Sequence, residues 1–216
     1  FKVRTTSDGD TVVNMISTDK YEDRAVMETV KACGKEITFK ISKDSFFQVN
    51  NSVIPLWLEK IVSFLDQEKS ERIFDLYCGI GTISIFIADS VKQVYGVEIV
   101  EEAIEDAKIN ARINEINNTK FYAGAAEKLI PEMYRKGMTA DVVFVDPPRK
   151  GCDMTALQTI MDMKPKKVVY ISCNPATLAR DLKVLTEDCF EIKGVKLVDM
   201  FAHTSHVESV VLLEKI

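Results

Sequence analysis

No apolar run in the 216-residue sequence approaches the ~18–20 residues that a membrane-spanning helix needs. The first residues, Phe1-Lys2-Val3-Arg4, carry no secretory signal and no initiator Met, so the chain is expected to be part of a longer protein. There is no surplus of positive charge. Lys and Arg number 28 against 33 Asp and Glu, a net charge of −5, which argues against a free-standing nonspecific nucleic-acid binder but leaves room for a basic patch. No Cys-x-x-Cys pair occurs, and the two histidines, His203 and His206, lie far from most of the five cysteines, which speaks against structural zinc. The odd, widely spaced set Cys33, Cys78, Cys152, Cys173 and Cys189 is no disulfide framework, and free thiols point to a reducing, cytoplasmic setting. What remains is an ordinary globular balance, 46% hydrophobic and 28% charged, enough for one well-cored domain and a small appendage.

The chain divides by pattern. Residues 1–50 are read as a β-rich remnant of another domain: Lys2–Thr6 and Thr11–Ile16 flank an Asp8-Gly9 turn, and Glu36–Ile41 alternates. Residues 51–216 open with helical spacing over Asn51–Leu65. Strands follow at Ile73–Leu76, Val94–Glu98, Lys120–Tyr122, Val142–Val145 and Lys167–Ser172, alternating with helices at Ile83–Asp89, Glu101–Asn114, Ala125–Arg135, Thr155–Met161 and Pro175–Thr186. Two successive strands, Phe190–Leu197 and Val207–Leu213, close the sequence. This pattern predicts an α/β fold, a mostly parallel sheet with an antiparallel pair at one edge.

Four strand ends carry chemistry. Asp75-Leu76-Tyr77-Cys78-Gly79-Ile80-Gly81-Thr82 is a Gly-x-Gly turn into a helix whose first N–H groups are expected to be free donors. Glu98, 17 residues after Gly81 at the end of the next strand, suits a ribose. A dinucleotide and S-adenosylmethionine both fit; Ser84 at the third glycine position of the dinucleotide fingerprint favours the latter. A plain tight turn with a solvated Glu stands beside both. Asp146-Pro147-Pro148-Arg149-Lys150-Gly151 is a rigid polar loop, with Asp146 placed for a cofactor or substrate and Arg149 and Lys150 for a phosphate. Cys173 precedes Asn174, a helix cap, and Pro175, a first helical residue. The helix dipole, with Arg180, is expected to lower its thiol pKa. The other cysteines are read as small buried hydrophobes. Glu208 opens the last strand. If that strand runs antiparallel, Glu208 meets Cys173, and burial raises its pKa toward proton-transfer range. His203 and His206 read as turn residues.

From about Gly34 onward the chain resembles the RNA uracil-carbon-5 methyltransferases. The resemblance is carried by Ser45-Phe46-Phe47-Gln48-Val49-Asn50, the Asp75–Thr82 turn, Gly96-Val97-Glu98, Asp146–Gly151, Ser172-Cys173-Asn174-Pro175-Ala176-Thr177-Leu178-Ala179-Arg180-Asp181, and His206-Val207-Glu208. It implies a Rossmann-like class I fold with a seven-stranded sheet. It also implies S-adenosylmethionine held by Gln48, Tyr77, Gly79, Gly81, Glu98 and Asp146. Cys173 is then the nucleophile and Glu208 the general base. Arg149, Lys150 and Arg180 are candidates for holding the RNA backbone or the base. The implied partner is RNA. The Gly-Ile-Gly-Thr turn looks more like the ribosomal-RNA branch than the transfer-RNA branch, whose turn is usually Gly-Asn-Gly-Asn. Ala202 departs from a common proline. Relatives commonly carry an RNA-binding β-barrel and some an iron–sulfur cluster, neither recognisable here. Three other readings compete: an exocyclic-amine methyltransferase, which needs no cysteine and usually carries an aromatic residue where this chain has Arg149; a noncatalytic RNA-binding domain; and, more distantly, a nicotinamide-dependent oxidoreductase.

Overall fold

The computed structural model describes residues 2–5, 11–14, 25–43, 45–48, 50–65, 71–204 and 206–216. Strands β1 (Lys2–Thr5) and β2 (Thr11–Asn14) pair antiparallel; the Asp8-Gly9 turn expected between them lies outside the described residues. A second antiparallel pair, β3 (Val26–Ala32) and β4 (Lys35–Ile41), is joined by Cys33 and Gly34. Both have positive φ, 53° and 73°, the geometry of a tight two-residue hairpin. The sequence pattern did not predict β3, because Glu28 lies on its buried face and interrupts the apolar row of Val26, Val30 and Ala32.

The main sheet has the order β10-β11-β9-β8-β5-β6-β7. Strands β5 (Arg72–Leu76), β6 (Gln93–Glu98), β7 (Thr119–Ala123), β8 (Val142–Val145) and β9 (Lys167–Ser172) run parallel. β11 (Glu208–Lys215) is antiparallel to both β9 and the edge strand β10 (Phe190–Val198). Alternate residues of the buried strands serve opposite faces. Val142, Phe144, Val169 and Ile171 pack with helices α1 (Ile54–Val62), α2 (Thr82–Ile87) and α3 (Glu101–Ile113) and with the β3–β4 hairpin. Val143, Val145, Val168 and Tyr170 pack with α4 (Ala126–Arg135), α5 (Met154–Met163) and α6 (Pro175–Leu185). The expected fold class holds. The Asn51–Leu65 helix is shorter than expected, and the closing strand starts at Glu208 and reaches Lys215. Among the described residues no helix is long and apolar enough to cross a membrane.

The hairpin is fixed to the sheet layer by side chains that imitate a strand. Asn114 accepts from the Thr38 N–H (3.0 Å) and donates to its carbonyl (2.8 Å); Asn110 does the same for Lys40 (2.7 and 3.1 Å). The free edge of β4 is thereby covered.

Candidate active site

A cavity of about 560 Å³ opens at the carboxyl edge of the parallel strands. β5 leads on to β6 and β7 on one side, and the chain then returns to β8 on the other, which is where ligands lie in open α/β sheets. Gln48, Tyr77, Gly79, Glu98, Asp146, Arg149, Lys150, Cys173 and Glu208 all line this cavity.

Tyr77 follows β5 with φ of 65°, a left-handed conformation that is costly for an aromatic residue. The turn it starts brings the Gly79 N–H to the Glu98 carboxylate (3.2 Å). The other Glu98 oxygen accepts from the N–H groups of Ile99 (2.8 Å) and Val100 (3.0 Å). Three backbone donors thus hold this carboxylate on the cavity wall. Gly81 does not line the cavity. Its φ is 83°, and a Cβ there would meet the Phe121 ring at 3.1 Å, so its smallness serves the turn and packing. Of the donors expected to be free at the start of α2, the Ser84 N–H is already taken. Fully buried Asp75 accepts from the N–H (3.1 Å) and the hydroxyl (2.6 Å) of Ser84. Burial pushes the Asp75 carboxyl up to about 7 against those bonds.

Gln48 reaches the cavity through a loop anchored from below. The buried Asp106 carboxylate, on α3, accepts from the Ser42 N–H (2.7 Å) and the Ser42 and Ser45 hydroxyls (both 2.8 Å) and pairs with the Lys40 ammonium (2.5 Å). Against burial, these partners hold its carboxyl below the usual value. Among the described residues, Gln48 Oε1 is buried without a hydrogen-bond partner. An orphaned buried acceptor on a cavity wall is unfavourable unless a ligand or a water supplies the donor.

Cys173 and Glu208 stand on neighbouring strands. Ser172 and Ser209 form the last pair of the β9–β11 ladder, and Cys173 and Glu208 are the next residue on each. Cys173 is half-buried; Glu208 is 3% exposed, and burial pushes its carboxyl up to about 7. The expected lowering of the Cys173 thiol is corrected by its neighbours. Burial raises it, Glu208 and then Asp146 oppose a second negative charge, and Arg149 favours it. Asn174 caps α6 as expected, accepting from the Ala176 N–H (3.1 Å). Half-buried Asp146 is pushed well up by desolvation and by the charges of Glu208, Asp75 and Glu98.

The structure does not bring Arg180 to the cavity. Its guanidinium donates to Asp181 (2.7 Å) and to the carbonyls of Lys150 (3.1 Å) and Cys152 (3.2 Å). Cys78 and Cys152 are buried, while Cys33 and Cys189 are only half-buried. His203 and His206 lie in the turn before β11, outside the cavity lining. Sequence reasoning missed Phe46, Ile99, Phe201 and the turn from Gly124 into the start of α4. The turn was findable, since it follows β7 at the same sheet edge. Phe46, 67% exposed, gave no periodic signal.

The family model described as tRNA (Uracil-5-)-methyltransferase matches residues 14–216. An uncharacterised RNA methyltransferase of Bacillus cereus is 54% identical over 84% of this chain and 39% of its own length. One from Clostridium tetani is 51% identical over 81% and 38%. The chain therefore spans about two fifths of the length of these curated relatives. Among solved structures, the Pyrococcus abyssi tRNA (uracil-54, C5)-methyltransferase in complex with S-adenosyl-L-homocysteine matches with a TM-score of 0.74 at 31% identity, over 89% of this chain and 45% of that one.

Proposed function

This chain belongs to the tRNA (uracil-5-)-methyltransferase family, and on that premise we propose that it methylates carbon 5 of uridine in RNA, using S-adenosylmethionine and a covalent bond from Cys173 to carbon 6 of the base. The observation that carries the proposal is the juxtaposition of Cys173 and Glu208 at the end of one strand ladder, on the wall of one cavity.

The cavity suits the methyl donor. Glu98, fixed by three N–H groups, is placed to accept from a ribose; the orphaned Gln48 Oε1 offers an acceptor; Tyr77 supplies an aromatic wall. Bound there, S-adenosylmethionine would supply an activated methyl group to carbon 5, its methyl–sulfur bond breaking to leave S-adenosylhomocysteine. The chain's residues do the rest. Cys173 Sγ, as thiolate, adds to carbon 6, and the ring's electron pair moves through carbon 5 toward the carbonyl as an enolate. After capture, carbon 5 holds both methyl and hydrogen. The Glu208 carboxylate removes that proton, the carbon 5–carbon 6 double bond re-forms, and the thiolate leaves. Covalent addition divides one difficult step into easier ones. Addition to carbon 6 needs a face of the ring, so the base must leave its stack.

Labelled methyl transfer followed by nucleoside analysis tests the reading. The expected product is 5-methyluridine; label on an exocyclic amine of adenine or guanine contradicts it. The Gly79-Ile80-Gly81-Thr82 turn supports ribosomal RNA as the substrate branch. Label in transfer RNA with none in ribosomal RNA overturns that choice.

A further inference from the structure

The loop that carries Arg149 and Lys150 is exposed at Pro148, Arg149 and Lys150 and bends through Gly151 at φ of 78°. Such a segment needs external contacts to hold a fixed course. One face of α6 supplies them, from side chains spaced three or four residues apart. The Asn174 amide donates to the Arg149 carbonyl (3.0 Å), and the Thr177 hydroxyl donates to the same oxygen (3.2 Å). Arg180 donates to the Lys150 carbonyl (3.1 Å) and the Cys152 carbonyl (3.2 Å). Asp181 accepts from the Cys152 N–H (2.8 Å) and is itself held from the sheet by the Tyr170 hydroxyl (2.5 Å). Contact is close enough that a Cβ on Gly151 would lie 2.5 Å from Arg180 Nη2 and 2.7 Å from Asp181 Oδ2.

Arg149 on this loop and Cys173, the residue before the Asn174 cap, line the same cavity. We propose that Asn174, Thr177, Arg180 and Asp181 form a splint that holds Arg149 beside Cys173 as the countercharge of its thiolate. The charged groups around the sulfur explain the need. Glu208 from β11 and Asp146 from the end of β8 both oppose a negative sulfur, while Arg149 favours it. Lys150 and Glu98 line the same cavity. Among the described residues the Arg149 guanidinium forms no ion pair, so its charge is not already neutralised. Arg180 and Asp181 are on this account positioning residues, acting through the loop.

The inference rests on Cys173 being the nucleophile, yet it is testable without RNA or methyl transfer. The rate of alkylation of Cys173 by iodoacetamide, read at that peptide by mass spectrometry across pH, follows its thiolate fraction. Arg149→Gln is expected to raise the pH midpoint and slow modification near neutral pH by about threefold to tenfold. Arg149→Lys keeps most of the wild-type rate. Asp181→Asn and Arg180→Gln move the midpoint in the same direction although neither touches the sulfur. Thr177→Val, which removes one hydroxyl contact, gives a smaller shift and serves if Asp181→Asn does not fold. An unchanged midpoint in Arg149→Gln overturns the countercharge. Unchanged midpoints in splint variants with wild-type melting overturn the splint. Either failure leaves the covalent reading intact, because that reading falls only if Cys173→Ala still methylates.

Discussion

Glu208 and Cys173 each lie one residue beyond the Ser209–Ser172 pair that ends the β11–β9 ladder. Two acids so placed resist ionising together, and both titrate high in the free protein. In the mechanism proposed above, their charges are separated in time. A thiolate that has added to a ring is a neutral thioether, and the carboxylate beside it then ionises more readily. The base becomes available when carbon 5 has a proton to lose.

This arrangement gives a pH prediction. Glu208 must be ionised to remove the proton, and its folded pKa is about 7. Release of product from the adduct, followed in single turnover, is expected to rise about tenfold per pH unit below that value and then level. Glu208→Gln, which cannot take the proton, is expected to stall release at every pH. A rate independent of pH across that range contradicts the role.

Asp106 should control both stability and the Gln48 loop. Asp106→Ala removes the anionic partner of the Lys40 ammonium and the acceptor of the Ser42 N–H, and is expected to cost about 2–4 kcal/mol in urea unfolding. Its folded pKa is depressed, so its contribution is present above the ordinary carboxylate value of 3.8 and is lost as pH falls through the folded value. The variant should also bind S-adenosylmethionine more weakly by calorimetry. Wild-type affinity in a folded variant would separate the anchor from the cavity.

Phe46 is 67% exposed on the cavity rim, an unusual position for a large aromatic residue without a ligand. Phe46→Ala is expected to leave the melting temperature unchanged and to raise KM for RNA about fivefold to a hundredfold, the range of one lost base–aromatic stack. An unchanged KM removes Phe46 from the binding surface.

Gly96 lies where β6 packs closest. A Cβ there would come within 2.5 Å of the Phe121 ring and 2.9 Å of Cys78 Sγ. Gly96→Ala should destabilise by about 1–3 kcal/mol. Trimming the ring with Phe121→Leu in the same chain should recover part of that loss; a double variant no more stable than the single one contradicts the steric account.

The main sheet was legible because β5, β6, β8 and β9 are short apolar runs set between helical patterns. β3 was not, because the buried Glu28 breaks its alternation. Cys173, Glu98 and Asp146 were findable from strand ends alone, since parallel strands deliver their carboxyl ends to one edge. Glu208 needed the further inference that β11 is antiparallel. The protonation balance of Cys173 was read in the wrong direction: the helix position is visible in sequence, but the approach of Glu208 and Asp146 is a tertiary fact. Arg180 was expected at the substrate, and only the path of Gly151 shows that the loop carbonyls take its donors. Asp106 reaches Ser42 and Ser45 across more than sixty positions, with no local pattern to mark it.

The central claim is a transient bond between Cys173 and the base. Mass spectrometry of Glu208→Gln incubated with RNA and S-adenosylmethionine tests it most directly. The account predicts a stable protein–RNA adduct that carries the new methyl group, maps to Cys173 and is absent when Cys173→Ala is added. Undiminished formation of 5-methyluridine by Cys173→Ala would contradict it.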